Sequence, residues 1–244
     1  MFNNYSRYYD FFYQDKDYEK ESSYVANLLK KYEISNGHIL EFGSGTGKHA
    51  YLLCEKGYNV HGIELRTEMI ARAKTHINFT CQQGDITKII LDRSFDAVIS
   101  LFHVISYQTK NSQIKAVFKN AAKHLLTGGL FIFDAWYSPA VHYLQPSIKI
   151  KRFKNDQVSI VRIAEPDYYP NENLVDVNYT FFLKSHNSSN QFKETHTMRH
   201  FSIPEIDFLA DMYGFQRIEA HEFVTKKNPS ENTWGVCFIL KKIK

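Results

Sequence analysis

The residues best suited to chemistry in this 244-residue chain lie in a glycine-rich turn at 39–47, which reads ILEFGSGTG. A short apolar run leads into three glycines at alternate positions, Gly43, Gly45 and Gly47, and a helical pattern follows. Glycines let the backbone turn sharply and approach a ligand closely, and the next helix presents free N–H groups and the positive end of its dipole. The turn therefore predicts a site for a phosphate, a nucleotide or a nucleotide-like cofactor.

Two of the ligand classes that use such a turn need residues that this chain lacks. A dinucleotide fingerprint requires G-x-G-x-x-G, but the third glycine here, Gly47, comes one residue early. A P-loop requires G-x-x-x-x-G-K-[ST]; Lys48 follows Gly47, but Phe42 replaces the first glycine and His49 replaces the hydroxyl residue. The third class has an acidic residue two positions before the first glycine, which is Glu41 here.

Alternating strands and helices are predicted to position this turn. The predicted helices span 18–32, 48–56, 67–75 and 111–126, and the predicted strands span 38–42, 58–64, 77–82, 95–102 and 130–134. Such alternation is typical of a parallel sheet that is covered by helices on both faces.

The alternation stops after Pro139. Three strand-like segments follow without a helix between them, at 148–163, 174–184 and 192–201, and they predict an antiparallel insertion. A helix is then predicted over 204–213, followed by strands over 215–224 and 233–243. We therefore expect one α/β domain formed by residues 1–147 and 202–244, with residues 148–201 inserted as a sheet that covers the substrate.

The composition is that of an ordinary globular protein, with 43% hydrophobic and 23% charged residues and a formal net charge of +4. The apolar stretches fall short of the ~20 residues that a membrane span needs, and the N-terminus lacks a signal-peptide pattern, so we expect a cytoplasmic protein without a membrane partner. The small net charge predicts no nucleic-acid partner. Cys54, Cys81 and Cys237 form no CxxC pair, and no metal is expected.

With Glu41 before it, the glycine turn resembles motif I of the class I methyltransferases that depend on S-adenosylmethionine (SAM). The resemblance continues along the chain, because the second strand ends in Glu64, the third ends at Asp85, the fourth begins at Asp96, and LLTGGLFIF at 125–133 is similar to the family's fifth strand. It implies an α/β fold with a Rossmann-like sheet of seven strands, an antiparallel insertion between strand five and the last helix, SAM as cofactor and S-adenosylhomocysteine as product.

The resemblance also implies the cofactor contacts. Glu64 stands where the family has a carboxylate that accepts both ribose hydroxyls, Asp85 where it has an acid beside the adenine amino group, and Ile86 where an apolar residue lies against the ring. The full expected cofactor set is Glu41, Gly43, Ser44, Gly45, Gly47, Glu64, Leu65, Met69, Asp85, Ile86 and Leu101.

Within the class, the chain is most similar to glycine N-methyltransferase and to the N,N-dimethyltransferases of nucleotide-linked amino sugars. YYDFFYQDKDY at 8–18 resembles the start of the latter group and implies that Tyr13 lies near the transferred methyl, and ETHTMRHF at 194–201 resembles its substrate-covering sheet. Both relatives have a histidine where this chain has Tyr107, whereas His103 stands where they have Ser or Asn. His103 therefore either takes over an acid–base role or is structural. The expected catalytic set is Tyr13, His103 and Tyr107.

The sequence thus predicts a SAM-dependent methyltransferase for a small molecule, with the amine of an amino sugar nucleotide or a phosphorylated amine as acceptor. An O-methyltransferase for a sugar or aromatic hydroxyl and a non-catalytic SAM-binding partner are the alternatives, and a homodimer is left open. Arg199 is expected to bind a phosphate or carboxylate of the substrate. The full expected substrate set is Tyr9, Trp136, Tyr137, His196 and Arg199.

Overall fold

The computed structural model describes residue 8 and residues 11–185 and 188–244. The strands are β1 (His38–Phe42), β2 (Asn59–Glu64), β3 (Phe79–Gln83), β4 (Phe95–Ser100), β5 (Leu125–Tyr137), β6 (Lys149–Lys154), β7 (Val158–Tyr169), β8 (Leu174–Ser185), β9 (Ser189–Phe201), β10 (Phe215–Glu222) and β11 (Gly235–Lys242). The helices are α1 (Tyr18–Lys31), α2 (Lys48–Glu55), α3 (Thr67–Ile70), α4 (Asn111–His124), α5 (Ser138–Leu144) and α6 (Ile203–Met212), with a 3₁₀ turn at Val104–Tyr107. None of the helices in these described ranges has the length and apolarity needed to cross a membrane.

Seven strands form the central sheet in the order β3-β2-β1-β4-β5-β11-β10. The first five are parallel to one another, whereas β11 runs antiparallel to both β5 and β10. Helices cover both faces of this sheet, as parallel strands require. The predicted fold class, a seven-stranded Rossmann-like sheet with an antiparallel insertion, is therefore confirmed.

The core lies on the two faces of the sheet, and β1 shows how alternation divides it. Leu40 and Phe42 are fully buried in the cluster that includes α4 and α6, whereas Ile39 is fully buried in the cluster that includes α1 and α2. Because successive side chains of a strand point to opposite faces, Glu41 lies on the same side as Ile39, and it is 1% exposed. A carboxylic acid is therefore held inside the fold, directly before the glycine turn.

The antiparallel strands β6 to β9 form a meander that continues the sheet beyond β5. The junction is short, since β5 and β9 pair at Trp136 with His200 and at Tyr137 with Phe201. At the far end, β6 is the outer strand, and its residues are exposed apart from Phe153.

The N-terminal residues pack on the inner face of this meander. The ring of Phe12 lies 5.0 Å from the ring of Phe181 and 5.3 Å from that of Phe153, measured between centroids. Tyr8, Phe11 and Tyr13 join the same cluster. The aromatic start of the chain therefore covers the insertion, although it precedes the insertion by more than a hundred residues.

The prediction of one strand over 148–163 is wrong, because this stretch forms β6 and β7 with a turn at Asn155. The side-chain Oδ1 of Asn155 accepts from the backbone N of Gln157 at 2.9 Å and of Val158 at 2.8 Å. Asparagine favours turns because its side chain can bond the backbone two residues further on. The insertion consequently has four strands where three were predicted.

Three further elements differ from the predicted ones. The helix expected over 67–75 ends at Ile70. The strand expected over 130–134 is longer, because β5 begins at Leu125 and ends at Tyr137. The helix α5 was not predicted, although Pro139 in its first turn suits a helix start, where the missing N–H of proline has no partner to lose.

Candidate active site

A cavity of about 480 Å³ lies at the carboxyl ends of β1, β2 and β4 and reaches the inner face of β8 and β9. This is the edge at which parallel α/β sheets bind ligands, and the volume suits a small molecule. One part of its lining, here called the glycine wall, comes from 43–49, 63–69 and 84–87; the rest, the aromatic wall, comes from Tyr13, 102–107, Trp136, 177–179 and 196–198. The predicted residues that line the cavity are Tyr13, Gly43, Ser44, Gly45, Glu64, Leu65, Met69, Asp85, Ile86, Leu101, His103, Tyr107, Trp136 and His196.

The glycine turn shapes the glycine wall through backbone conformations that favour glycine. Gly45 has a φ of +55°, and a Cβ built on it would meet no atom within 4 Å, so its backbone faces open cavity. Gly47 has a φ of +67° at the start of α2, and a Cβ there would lie 2.6 Å from the ring of Phe79. A side chain at position 45 would project into the ligand space, and one at position 47 would displace the turn.

The carboxylate of Glu64 ties this turn to the end of β2. Its Oε2 accepts from the backbone N of Gly45 at 2.9 Å, and its Oε1 accepts from the backbone N of Arg66 at 3.0 Å. Glu64 is 9% exposed and lines the cavity. Because a carboxylate has about four lone-pair sites, each oxygen keeps capacity for a ligand hydroxyl.

Glu41 lies behind the turn and does not line the cavity. Burial, followed by the nearby charge of Glu64, raises the pKa of Glu41 to about 8. Its Oε2 has no hydrogen-bond partner among the residues that the structure describes. Behind the glycine wall, the fold therefore holds an acid that is neutral at pH 7 and that a nearby cation would ionise.

Asp85 and Ile86 follow the end of β3. The Oδ1 of Asp85 accepts from the backbone N of Thr87 at 2.9 Å and from its hydroxyl at 2.6 Å. Burial favours the neutral acid, but these hydrogen bonds outweigh it and hold the pKa of Asp85 below its ordinary value. Asp85 is thus an ionised acceptor beside the buried side chain of Ile86.

His103 enters the aromatic wall from the end of β4 and is held by Asp134 of β5. Its Nδ1 lies 2.7 Å from Asp134 Oδ2, and its backbone N lies 3.2 Å from both oxygens of that carboxylate. Burial opposes ionisation of Asp134. The charge and the N–H groups of His103 outweigh burial and hold the pKa of Asp134 below its ordinary value. Both Phe102 and His103 have positive φ, +66° and +60°, so this turn is strained and closely held.

Three tyrosines and a histidine contribute further ring contacts to the aromatic wall. Tyr107 Oη lies 2.8 Å from His196 Nδ1, and the ring of Tyr179 meets the ring of His196 edge-on at 5.1 Å. Tyr13 packs edge-on against Phe102 at 4.8 Å. The hydroxyl of Tyr107 is buried, with Tyr13, Tyr179 and Glu194 nearby. These surroundings raise the pKa of Tyr107 well above its ordinary value.

Sequence reasoning missed Tyr179, Asp134 and Glu194. The alternation of Val175, Val177 and Tyr179 along β8 was a usable signal, because these residues share the inner face of the insertion. The pairing of Asp134 with His103 depends on how β4 and β5 align in space, which the sequence pattern does not give.

Among the described residues, four that were predicted for the site do not line the cavity, namely Glu41, Gly47, Tyr137 and Arg199. Glu41 is buried inside the fold, Gly47 stands at the start of α2, and Tyr9 falls outside the described residues. Tyr137 is buried in the core cluster with Phe201. Arg199 is directed away from the cavity, and its Nη2 donates to Glu205 Oε1 at 2.6 Å. The expectation that Tyr137 and Arg199 contact the substrate therefore finds no support in this geometry.

These features define an α/β protein that binds a nucleotide-type cofactor at the carboxyl edge of its sheet. The defining features are the strand order, the glycine turn and the acids at the ends of β2 and β3. The model of a methyltransferase domain family matches residues 39–129. An uncharacterized methyltransferase of Staphylococcus carnosus is 30% identical over 162 residues, which cover 64% of this chain and 74% of that protein. This chain belongs to the class I SAM-dependent methyltransferases.

Two further similarities concern proteins with stated substrates. The dTDP-3-amino-3,4,6-trideoxy-alpha-D-glucopyranose N,N-dimethyltransferase of Streptomyces venezuelae is 26% identical over 175 residues, 70% of this chain and 73% of that protein. The crystal structure of a sugar N-methyltransferase from Streptoalloteichus sp ATCC 53650 superposes with a TM-score of 0.83 at 21% identity and covers 97% of this chain and 93% of that one. This second likeness concerns the fold alone.

Proposed function

We propose that this methyltransferase transfers the methyl group of SAM to the amine of an amino sugar nucleotide or of a similar phosphorylated amine. The observation that carries the proposal is the aromatic wall, in which Tyr13, Tyr107 and Tyr179 line the same cavity as the glycine wall. Aromatic faces attract a cationic amine, by about 0.5–2 kcal/mol per contact. The stated activity of the Streptomyces venezuelae relative supports the same acceptor class.

The residues of the glycine wall fit SAM, which supplies a methyl group on a positively charged sulfur. We assign the ribose hydroxyls to Glu64, the adenine amino group to Asp85 and the adenine ring to Ile86. Gly45 leaves the backbone open for close approach. Glu41 ionises when the cationic end of the ligand lies near it, because an opposite charge stabilises the carboxylate. The remaining assigned contacts are Gly43, Ser44, Leu65, Met69 and Leu101, and Gly47 shapes the turn without lining the cavity.

The aromatic wall supplies the reacting centre, and we assign Tyr13, His103 and Tyr107 to it. Displacement at a sulfonium methyl needs little activation, so the protein gains most by holding nucleophile, carbon and sulfur in line. Trp136 and His196 complete the contacts that we assign to the acceptor.

An O-methyltransferase is the second candidate, and the pair of His103 with Asp134 is the observation that favours it. A hydroxyl acceptor must lose its proton during transfer, and a histidine oriented by a buried carboxylate is suited to take it. An amine with a pKa near ambient sheds its proton more easily, so it needs this pair less.

A panel of acceptors tests the proposal. Amino sugar nucleotides, phosphorylated amines, the matching sugars with a hydroxyl in place of the amine, catechols and tRNA are each incubated with SAM, and release of S-adenosylhomocysteine is measured. We expect turnover with amines that is at least about tenfold faster than with their hydroxyl counterparts, because only the amine has a free lone pair. Gly45→Val protein serves as the control for background release.

Turnover with hydroxyl acceptors alone, or with tRNA alone, would contradict the amine assignment. It would leave the methyltransferase itself unaffected.

A further inference from the structure

A chain of three polar side chains runs from the cavity into the insertion. Tyr107 Oη lies 2.8 Å from His196 Nδ1, and His196 Nε2 lies 3.5 Å from Glu194 Oε2. Tyr107 lines the cavity, whereas His196 and Glu194 are each 4% exposed at their side chains. The first contact has the length of a hydrogen bond, whereas the second is an ion-pair separation at which the carboxylate can stabilise a positive charge on the imidazole.

Two parts of the fold bring this chain together. Tyr107 belongs to the 3₁₀ turn after β4, and His196 and Glu194 stand two residues apart on β9 and so share its inner face. The junction at Trp136 with His200 fixes β9 against the core sheet. The insertion therefore contributes a titratable pair to a tyrosine of the α/β domain.

We propose that Tyr107, His196 and Glu194 form a proton relay that removes the proton released when the acceptor is methylated. The proposal rests on the proposed function for the existence of an N–H or O–H acceptor, but not on which of the two it is. Tyr107 and His196 are the residues of the relay that carry the proton, and Glu194 is a positioning residue that acts through His196.

The step balances as follows for an amine. The nitrogen lone pair forms the new N–CH₃ bond, and the electrons of the C–S bond leave with sulfur. One N–H proton passes to Tyr107 Oη while the phenolic proton passes to His196 Nδ1. The relay ends with an imidazolium at His196 beside the carboxylate of Glu194, which compensates its charge.

The surroundings of Tyr107 favour such a coupled transfer over a free tyrosinate. Burial, with Tyr13 of the N-terminal segment, Tyr179 of β8 and Glu194 of β9 nearby, raises the pKa of Tyr107 well above its ordinary value. A tyrosine in these surroundings does not store negative charge. It can still pass a proton on, because it loses one as it gains another.

The other histidine in the aromatic wall is less suited to this task. The Nδ1 of His103 lies against the buried carboxylate of Asp134, and its backbone N bonds the same group, so Asp134 holds the turn in its left-handed conformation. The side chain of His103 is 24% exposed against 4% for His196. The relay therefore ends on a histidine that is more deeply buried than His103.

The relay makes a prediction that needs no acceptor. With S-adenosylhomocysteine bound, nitrogen-15 NMR of the imidazoles should show His196 protonated at Nε2 and accepting at Nδ1, and Tyr107→Phe should remove the Nδ1 hydrogen bond. His196 protonated at Nδ1 would overturn the relay. Resonances are assigned with His196→Gln protein.

Steady-state kinetics test the role of the relay in turnover. They are measured with an acceptor that the panel shows to be methylated. Tyr107→Phe should lower kcat about 10²-fold or more and His196→Gln about 10-fold or more, both with unchanged KM for SAM. Glu194→Gln should move the acidic limb of the pH profile toward lower pH, since a carboxylate no longer stabilises the protonated relay.

The matched control is His200→Gln. His200 is a second buried histidine on β9, also bonded to a hydroxyl, with its Nδ1 2.8 Å from Ser138 Oγ, but it does not line the cavity. The relay would be overturned if its variants lost no more turnover than His200→Gln does. It would also be overturned if Glu194→Gln left the pH profile unchanged. Because any acceptor serves, a failure of the amine assignment is seen separately in the panel.

Discussion

The two walls of the cavity are built on different principles. The glycine wall comes from 43–87, a short stretch of chain, and it is shaped by backbone turns and by carboxylates that accept backbone N–H groups, as Glu64 does from Gly45. The aromatic wall comes from five distant parts of the chain and is shaped by contacts between side chains, as between Tyr107 and His196, 89 residues apart.

The two walls should therefore differ in how easily their residues can be replaced. Backbone geometry tolerates few replacements, so a wall that depends on it suits a cofactor shared by many enzymes. A wall of side chains on an inserted sheet can be altered one residue at a time, which suits the acceptor. Variants in the glycine wall should therefore change cofactor affinity, and variants in the aromatic wall should change turnover.

Gly45→Val should have the largest effect. The β-branched side chain would meet a backbone held at a φ of +55° and would point into the cavity, so S-adenosylhomocysteine affinity should fall by more than about 100-fold. Calorimetry measures the affinity, and circular dichroism confirms folding. A folded variant with wild-type affinity would contradict the placement of the cofactor.

Glu64→Ala should weaken S-adenosylhomocysteine binding by one to two decades. The variant loses the acceptors assigned to the ribose and two bonds to backbone N–H groups, and charge-assisted hydrogen bonds contribute roughly 1.5–3 kcal/mol. The matched control is Glu68→Ala, which removes an exposed acid on α3 close by. Equal affinities of the two variants would show that Glu64 does not hold the ligand.

Tyr13→Phe tests the other wall. The ring and its edge-on contact with Phe102 remain, so only the hydroxyl near the reacting centre is lost. We expect turnover to fall roughly 10-fold while S-adenosylhomocysteine affinity stays within about twofold. A change in cofactor affinity larger than the change in kcat would contradict the assignment of cofactor binding to one wall and of turnover to the other.

Glu41→Gln should change the stability of the cofactor-free protein, and the size of that change depends on pH. The folded protein keeps Glu41 protonated up to about pH 8, while the unfolded chain ionises near the ordinary value of 4.5, so wild-type stability falls as pH rises between these values. Glutamine removes that loss, which is on the order of 3 kcal/mol at pH 7. The Tm advantage of cofactor-free Glu41→Gln should grow from pH 5 to pH 8, and an equal advantage at both values would contradict the buried neutral acid.

The same difference explains what could be predicted from the sequence. The glycine turn and Glu64 could be predicted because they lie within one strand–turn–helix–strand unit, in which residue types and spacing can be read directly. His196 and Arg199 were both expected at the substrate, but they lie on opposite faces of β9, so His196 reaches the cavity and Arg199 bonds Glu205. The pairing of His103 with Asp134 and of Tyr107 with His196 depends on strand alignment across the sheet, which no local pattern contains.

The outer strand β6 affects how this protein behaves at high concentration. An outer strand exposes unpaired N–H and C=O groups that can pair with the same edge of another molecule and begin a fibril. Here that edge reads KIKRFK, and its lysines and arginine are exposed. Pairing brings strands to about 4.8 Å, well inside the Debye length of about 8 Å at physiological ionic strength, so the cations repel each other where pairing would begin. Concentrated stocks should therefore resist edge-to-edge aggregation, and molar salt should weaken that resistance.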